Sequence, residues 1–311
     1  MALTLVGCAP KEQQPKVYGR YVPERKDDFA WENEYAAFRM YGPALLPENP
    51  SNGIDLWLKN SPALVIDTMY GRELKDHRPY HINYDGNLDC YKVGHTAGCG
   101  GLVIIANDSL WTGGPYNQWE ILTQTNDTFA FRLTYDSIQV STQWVRAELT
   151  VTAEAGTLWN KAEVVLTNLS PSLVAPIKIE LGGGIYAHDS IDNLWLSDAG
   201  NRIGYAEDAL SDKQAAQMNY DYNGSTSQGR AYIALCLSDA EQYGIIDNTL
   251  YLVRNYHYGD TLTYFFGACW SEWRDGDNAF LTDDDWFTTI QTGAIANKNK
   301  QSVNDKRQNN K

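Results

Sequence analysis

From Leu102 onward the chain breaks into short runs of β-branched and aromatic residues, and this rhythm constrains the fold more than any other feature. Candidate strands cover 102–106, 118–124, 128–135, 138–152, 158–168, 174–181, 230–237, 249–255 and 261–270, separated by Gly, Asn, Asp and Pro. Alternation is plain in Ala147-Glu-Leu-Thr-Val-Thr152 and Lys161-Ala-Glu-Val-Val-Leu-Thr167, the period of a strand with one wet face. Many short strands at regular spacing predict an all-β sandwich or barrel. Upstream, a strand is expected from Ala37 to Tyr41, ending at Gly42-Pro43, with short strand-like or buried segments at 54–58 and 63–66. One late helix is expected over Asp284–Ile295, capped by Thr282 or Asp283. No repeat and no domain-sized linker interrupts the 311 residues, so 18–297 is expected to form one β-sandwich domain, followed by a polar tail at 298–311.

The chemistry concentrates in Tyr80–Gly101. This segment packs His81, His95, Asp85, Asp89, Tyr80, Tyr84, Tyr91 and Lys92 between punctuating glycines. It lacks a clean period and reads mainly as loop. A long polar loop in a compact domain is usually functional or disordered, and its tyrosines and cysteines argue against disorder. Of the five histidines, His81, His95, His188 and His257 fall in loops or at strand ends. Histidine is the side chain most readily poised for proton transfer near neutrality. Arg39 shares a strand face with Tyr41, either paired off or as a carboxylate clamp.

A net charge of −14 excludes nucleic acid as a partner, since no basic stripe neutralises phosphates. Leu5-Val6-Gly7-Cys8 matches a bacterial lipobox. Residues 1–17 therefore read as a lipoprotein signal remnant and tether with Cys8 as the lipidation site, although the stretch before it is short and lacks a basic region. The expected location is the periplasm or cell surface, with the outer membrane touched only through a lipid anchor. No apolar run approaches the ~18–20 residues a spanning helix needs. In an exported protein Cys90 and Cys99 could bridge, whereas Cys236 and Cys269 read as small buried hydrophobes. No spacing resembles a zinc site, and Asp283-Asp-Asp285 reads as a helix start.

Trp31-Glu-Asn-Glu, Ala37-Phe-Arg-Met-Tyr-Gly-Pro-Ala44, Gly53-Ile-Asp-Leu-Trp57, Tyr80-His81, Asp89-Cys-Tyr-Lys-Val-Gly94 and Gly98-Cys-Gly-Gly101 together resemble one family. It is a family of exported proteins from Bacteroidetes-type polysaccharide-utilisation loci, long described as a domain of unknown function, that includes the ulvan oligosaccharide dehydratases. The resemblance spans about residues 18 to 290. It implies a galactose-mutarotase-like β-supersandwich with a few short helices. It also implies removal of water from a non-reducing-end glucuronate or iduronate, leaving a 4,5-unsaturated uronyl residue.

That elimination needs a cation on the carboxylate, a base for the C5 proton and an acid for the C4 hydroxyl. Arg39 and Lys92 are candidates for the carboxylate, with Arg146 a weaker one. His95 or His81 suits the base. His188, Tyr84 or Tyr264 suits the acid. Tyr41 lies on the Arg39 face, and Trp111, Trp119 and Trp270 are candidate stacking platforms. The expected partner is an anionic oligosaccharide; no cofactor is required, no metal site is assigned, and a divalent cation in place of arginine is compatible with the sequence. The oligomeric state is left open. Competing readings are a lyase, an epimerase or mutarotase on the same fold, a non-catalytic glycan-binding lipoprotein, and a hydrolase using Asp85 and Asp89.

Overall fold

A computed structural model describes residues 14–171, 177–209, 228–280 and 282–292. Three antiparallel sheets dominate it. The first is a meander of β1 (Tyr18–Val22), β2 (Asp28–Glu32), β3 (Ala36–Met40), β4 (Ile54–Lys59) and β5 (Asn87–Asp89). The chain continues through β6 (Cys99–Ala106), β7 (Ser109–Trp111), β8 (Gln118–Gln124), β9 (Thr128–Val140), β10 (Gln143–Glu154), β11 (Trp159–Asn168), β12 (Ile179–Tyr186), β13 (Leu194–Leu196), β14 (Arg202–Asp208), β15 (Arg230–Cys236), β16 (Gln242–Ile246), β17 (Thr249–Tyr256) and β18 (Thr261–Trp270). The second sheet runs β13-β14-β15-β18-β11-β10-β9-β8 and the third β16-β17-β12-β6-β7. A small hairpin, β19 (Arg274–Asp275) with β20 (Asn278–Ala279), stands apart. The molecule is an all-β sandwich: β15 and β18 face β6 and β12, while β3 and β4 pack against β18. One hydrophobic core draws on all three sheets.

The two-residue period explains the layers. In β10, Val145, Ala147, Leu149, Val151 and Ala153 point into the core, and Arg146 and Glu148 point outward. The expected strand over 138–152 is really two, because Ser141 takes a left-handed turn (φ 53°) between β9 and β10. In the first sheet both faces are covered. Phe29, Trp31, Phe38, Met40, Ile54, Leu56 and Leu58 face the main core. Ala30, Ala37 and Trp57 face the helix α1 (Ile66–Leu74) through Ile66, Met69 and Tyr70.

Of the segment expected at 63–66 to be strand-like or buried, no residue is in a strand, Val65 and Ile66 are buried, and Ile66 opens α1. Buried Glu32 starts it by accepting from the backbone N–H groups of Val65 and Ile66 at 2.9 and 3.0 Å. The glycines at 182–184, expected to follow a strand ending at 181, lie inside β12. A Cβ at Gly183 would stand 2.6 Å from Leu235 Cδ1, so glycine lets the second and third sheets approach. The late helix, α2 (Asp283–Thr292), carries a reciprocal cap. The Asp285 N–H donates to Thr282 Oγ1, and the Thr282 N–H donates to Asp285 Oδ2, both at 3.1 Å. Cys8 with its lipobox and the 298–311 tail lie outside the described residues. No helix among the described residues is long and apolar enough to cross a membrane.

Candidate active site

Alternation in the first sheet puts Asp28 and Glu32 (β2), Arg39 (β3), Asp55 and Lys59 (β4) and Asp89 (β5) on the α1 side, all buried. Arg39 and Asp55 are direct cross-strand partners. The Arg39 guanidinium contacts Asp55, lies 3.2 Å from Asp89 Oδ2 and 3.7 Å from Asp28 Oδ2, and donates to Tyr80 Oη at 2.9 Å. Tyr41, Trp57 and Tyr80 surround it, each ring centroid 5.2 Å away. Arg39 is thus the paired-off arginine rather than an open clamp.

A cavity of about 490 Å³ opens beside this network. The 3-10 turn Pro23–Arg25 brings Arg25, and the segment after β3 brings Tyr41, Leu45, Glu48 and Asn49. The approach to β5 brings Tyr80 and His81, and the β5–β6 loop brings Lys92 and His95. Arg25 donates to Tyr80 Oη from Nε and Nη2 at 3.3 and 3.2 Å, so two guanidinium groups converge on one phenol oxygen. Gly94 and Gly98 shape the loop with φ of 57° and 65°. A Cβ at Gly98 would also meet Ile54 O at 2.0 Å.

The electrostatics favour a protonated His81. Its Nδ1 lies 3.1 Å from Asp89 O and 3.5 Å from Asp89 Oδ2. Burial alone would lower its pKa; the Asp89 carboxylate overrides burial and raises it. Burial likewise pushes Asp89 up, and the His81 and Arg39 charges hold it below the usual range. Asp55 goes the other way: burial, with Asp89 adding to it, outweighs Arg39 and lifts the carboxyl to about 7. Burial also outweighs Arg39 and Arg25 at Asp28, whose pKa is raised. Arg25, Arg39 and His81 therefore face Asp28, Asp55 and Asp89, and Asp55, lifted to about 7, is a carboxyl that takes up a proton near neutrality. Tyr41 is held as the phenol by burial.

The structure gathers five of the expected residues at this cavity: Arg39, Tyr41, His81, Lys92 and His95. Five others lie elsewhere. His188 is buried behind the loop, with Nε2 2.7 Å from Lys92 O and Nδ1 3.0 Å from Glu207 Oε1, so it is not placed to serve as the acid. Tyr84 packs under Arg78, whose Cζ is 4.0 Å from the ring centroid. Arg146 points out of the second sheet and pairs with Glu148 at 2.7 Å. Tyr264 is buried and donates to Gly100 O at 3.0 Å. Trp270 is buried and donates to Gln228 O at 2.7 Å.

Of the other candidate platforms, Trp111 donates to Ala106 O, and Trp119 stacks on Tyr21 with centroids 4.8 Å apart. Asp85 is exposed and pairs with Arg72, while Asp89 is buried, so the two do not form a hydrolase pair. Cys90 and Cys99 are buried and not bridged to each other. Among the described residues, no group of three or more His, Cys, Asp or Glu is arranged to hold a metal ion.

Sequence reasoning missed Arg25, Asp28 and Asp55 as site residues and gave Tyr80, though it lies in the chemistry-rich segment, no role. The available signal was a charge at alternate positions of otherwise apolar strands, as in Ile54-Asp-Leu-Trp-Leu58. A second, larger cavity of about 660 Å³ lies over the outer face of the second sheet, between Trp159, Phe265 and the end of α2. No histidine lines it.

The chain belongs to the family described as "Domain of unknown function (DUF4861)", whose model matches residues 8–303. It is similar to "Uncharacterized protein P7" of Formosa agariphila, with 26% identity over 282 residues. The match covers 88% of this chain, which spans 66% of that relative's length, just under two thirds.

Proposed function

We propose that this member of the DUF4861 family is an oligosaccharide dehydratase. It removes water across C4–C5 of a non-reducing-end glucuronate or iduronate in ulvan oligosaccharides, as the resemblance to the dehydratases suggests. One observation carries this reading. In a chain of net charge −14, Arg25 and Lys92 line a single cavity together with His81 and His95. An anionic carboxylate and two proton transfers call for such a set.

Arg25 and Lys92 bind the carboxylate and neutralise the charge that builds as the C5–H bond breaks. His95 takes the C5 proton. His81, kept protonated by Asp89, gives its proton to the departing C4 oxygen; the C4–O bond breaks, C4=C5 forms and water leaves. Glu48, Asn49 and Tyr41 on the cavity wall offer acceptors and a ring face to the sugar. The proposed setting is the periplasm or cell surface, with Cys8 as the lipid anchor, on the strength of the lipobox.

The test is absorbance near ~235 nm, where a conjugated unsaturated uronate absorbs, with masses recorded alongside, because dehydration and lysis share the same elimination. Saturated uronyl-rhamnose-sulfate oligosaccharides should gain the chromophore, lose one water and keep their length. Shortened products would make the protein a lyase. A flat trace with mass unchanged would remove elimination on these substrates.

A further inference from the structure

His188 is 2% exposed and sits on the far side of the Lys92 loop from solvent-accessible chemistry. Both of its ring nitrogens face oxygen acceptors: Nδ1 meets Glu207 Oε1 at 3.0 Å, and Nε2 meets Lys92 O at 2.7 Å. A backbone carbonyl can only accept, and an ionised carboxylate can only accept. Glu207 Oε2 also accepts from the His188 backbone N–H at 3.0 Å, which favours the ionised carboxylate. A neutral imidazole offers one donor to these two acceptors; the imidazolium offers two. Tyr91 and Tyr186 clasp the ring edge-on, with centroids 4.5 and 5.1 Å away, and Tyr91 Oη donates to Tyr186 O at 2.6 Å.

We infer that His188 is held as a buried imidazolium and is the positioning residue that fixes the Lys92 loop against β14, setting where the Lys92 cation stands in the cavity. The inference rests on the proposed reading only for what Lys92 does to substrate; the lock itself does not depend on it. The groups around the ring are Glu207 from β14, Asp189 beside it, whose backbone N–H donates to Tyr205 Oη, Tyr186 from β12, and Tyr91 and the Lys92 carbonyl from the loop. Burial opposes the ring's charge, and the Glu207 carboxylate prevails, so its pKa stands above the ordinary histidine value. The lock is therefore complete at low pH and is released as pH rises through that raised value, when Nε2 loses its proton and faces the carbonyl without a donor.

The experiment uses the full chain labelled with 15N-histidine, whose five histidines are resolved by ring NMR. The His188 ring is expected to titrate with a midpoint above the ordinary value of ~6.5. In Glu207→Gln, which keeps the volume and removes the anion, the midpoint should fall below ~6.5, because burial then acts unopposed. A His188 midpoint at or below ~6.5 in the unsubstituted protein overturns the inference without any variant having to fold. His188→Gln should move the His95 ring signal, which reports the loop, and leave that of His257, on the exposed turn before β18, in place. An unmoved His95 signal overturns the positioning role. With uronate substrate, His188→Gln should lower kcat/KM about 10-fold, with kcat falling as well as KM rising, because the displaced Lys92 both binds the carboxylate and neutralises the charge of the transition state. Absence of any turnover by the unsubstituted protein would remove the proposed function, and the ring spectra would still decide the lock.

Discussion

Two charged faces of this molecule are built from the same residue types and do opposite things. On the outer face of the second sheet, Arg146–Glu148 and Lys161–Glu163 pair at 2.7 and 3.0 Å with side chains roughly a third or more exposed. On the α1 face of the first sheet, Arg39 meets Asp28, Asp55 and Asp89 with every partner essentially dry. Water screens the first set, so its geometry carries little energy. Burial makes the second set interdependent: no charge in it can be removed without stranding another. Charge at period two is thus neutral information until the number of covered faces is known. The candidate cavity lies at the edge of the covered set, lined by Arg25, His81 and Lys92.

The largest expected effect separates the two faces directly. Arg39→Met should destabilise the fold by about 3–5 kcal/mol in chemical denaturation, the usual cost of breaking a buried pair, whereas Arg146→Met should change it by less than about 0.5 kcal/mol. Equal effects would erase the distinction. Lys59→Met should fall between them at roughly 2–3 kcal/mol. Lys59 contacts Glu32 Oε2 at 2.9 Å, but Glu32 keeps the Val65 and Ile66 N–H groups as partners.

The next effect is on pH. Asp55 folded at about 7 against 3.8 unfolded holds its proton longer in the native state. Its contribution is fully present below about 3.8 and is lost as pH rises through about 7. His81, also raised, contributes stability that is complete below its unfolded value and lost above its folded one. Asp89, lowered, contributes in the opposite sense, and its contribution is lost as pH falls. Stability should therefore decline as pH rises from about 4 through about 7, and Asp55→Asn should flatten that decline. An unchanged slope in melting temperature against pH would contradict the assignment.

Asp89→Asn sharpens the picture at the site. Without the counter-charge, burial lowers the His81 pKa, so the alkaline limb of the activity profile should move to lower pH. An alkaline limb in the original position would remove His81 as the acid. The smallest effect is ionic. Raising salt from 0.1 to 1 M (about 10 to 3 Å screening length) should leave the Arg39 network untouched and shift stability by no more than a few tenths of a kcal/mol through the outer pairs.

How much was legible follows the same division. The strands from 128 to 168 announced themselves because one face is wet and the other apolar. The first sheet was legible only in part: β3 and β4 answer to the strands expected at 37–41 and 54–58, but both faces of the sheet are covered, Asp28-Phe-Ala-Trp-Glu32 gives no amphipathic signal, and its strand went unread. The helix after Val65 was obscured by its polar second half and by a start set by Glu32, 33 residues earlier. Arg39, Tyr41, His81, Lys92 and His95 were readable because they cluster in a glycine-punctuated loop and one short strand. Arg25 was not, because its contact with Tyr80 spans 55 positions. His188 carried the right chemistry in the wrong place: a strand-end histidine looks the same in sequence whether its nitrogens face substrate or a carbonyl.

The most direct test of the central claim, that Arg25 and Lys92 read a carboxylate at the edge of the buried network, is calorimetric binding of a saturated uronyl oligosaccharide and its carboxyl-reduced counterpart. The carboxylate form should bind at least about 10-fold more tightly, a difference of about 1.4 kcal/mol, and that preference should collapse in Arg25→Met and Lys92→Met. Equal affinity for the two ligands, or a preference that survives both substitutions, would contradict it.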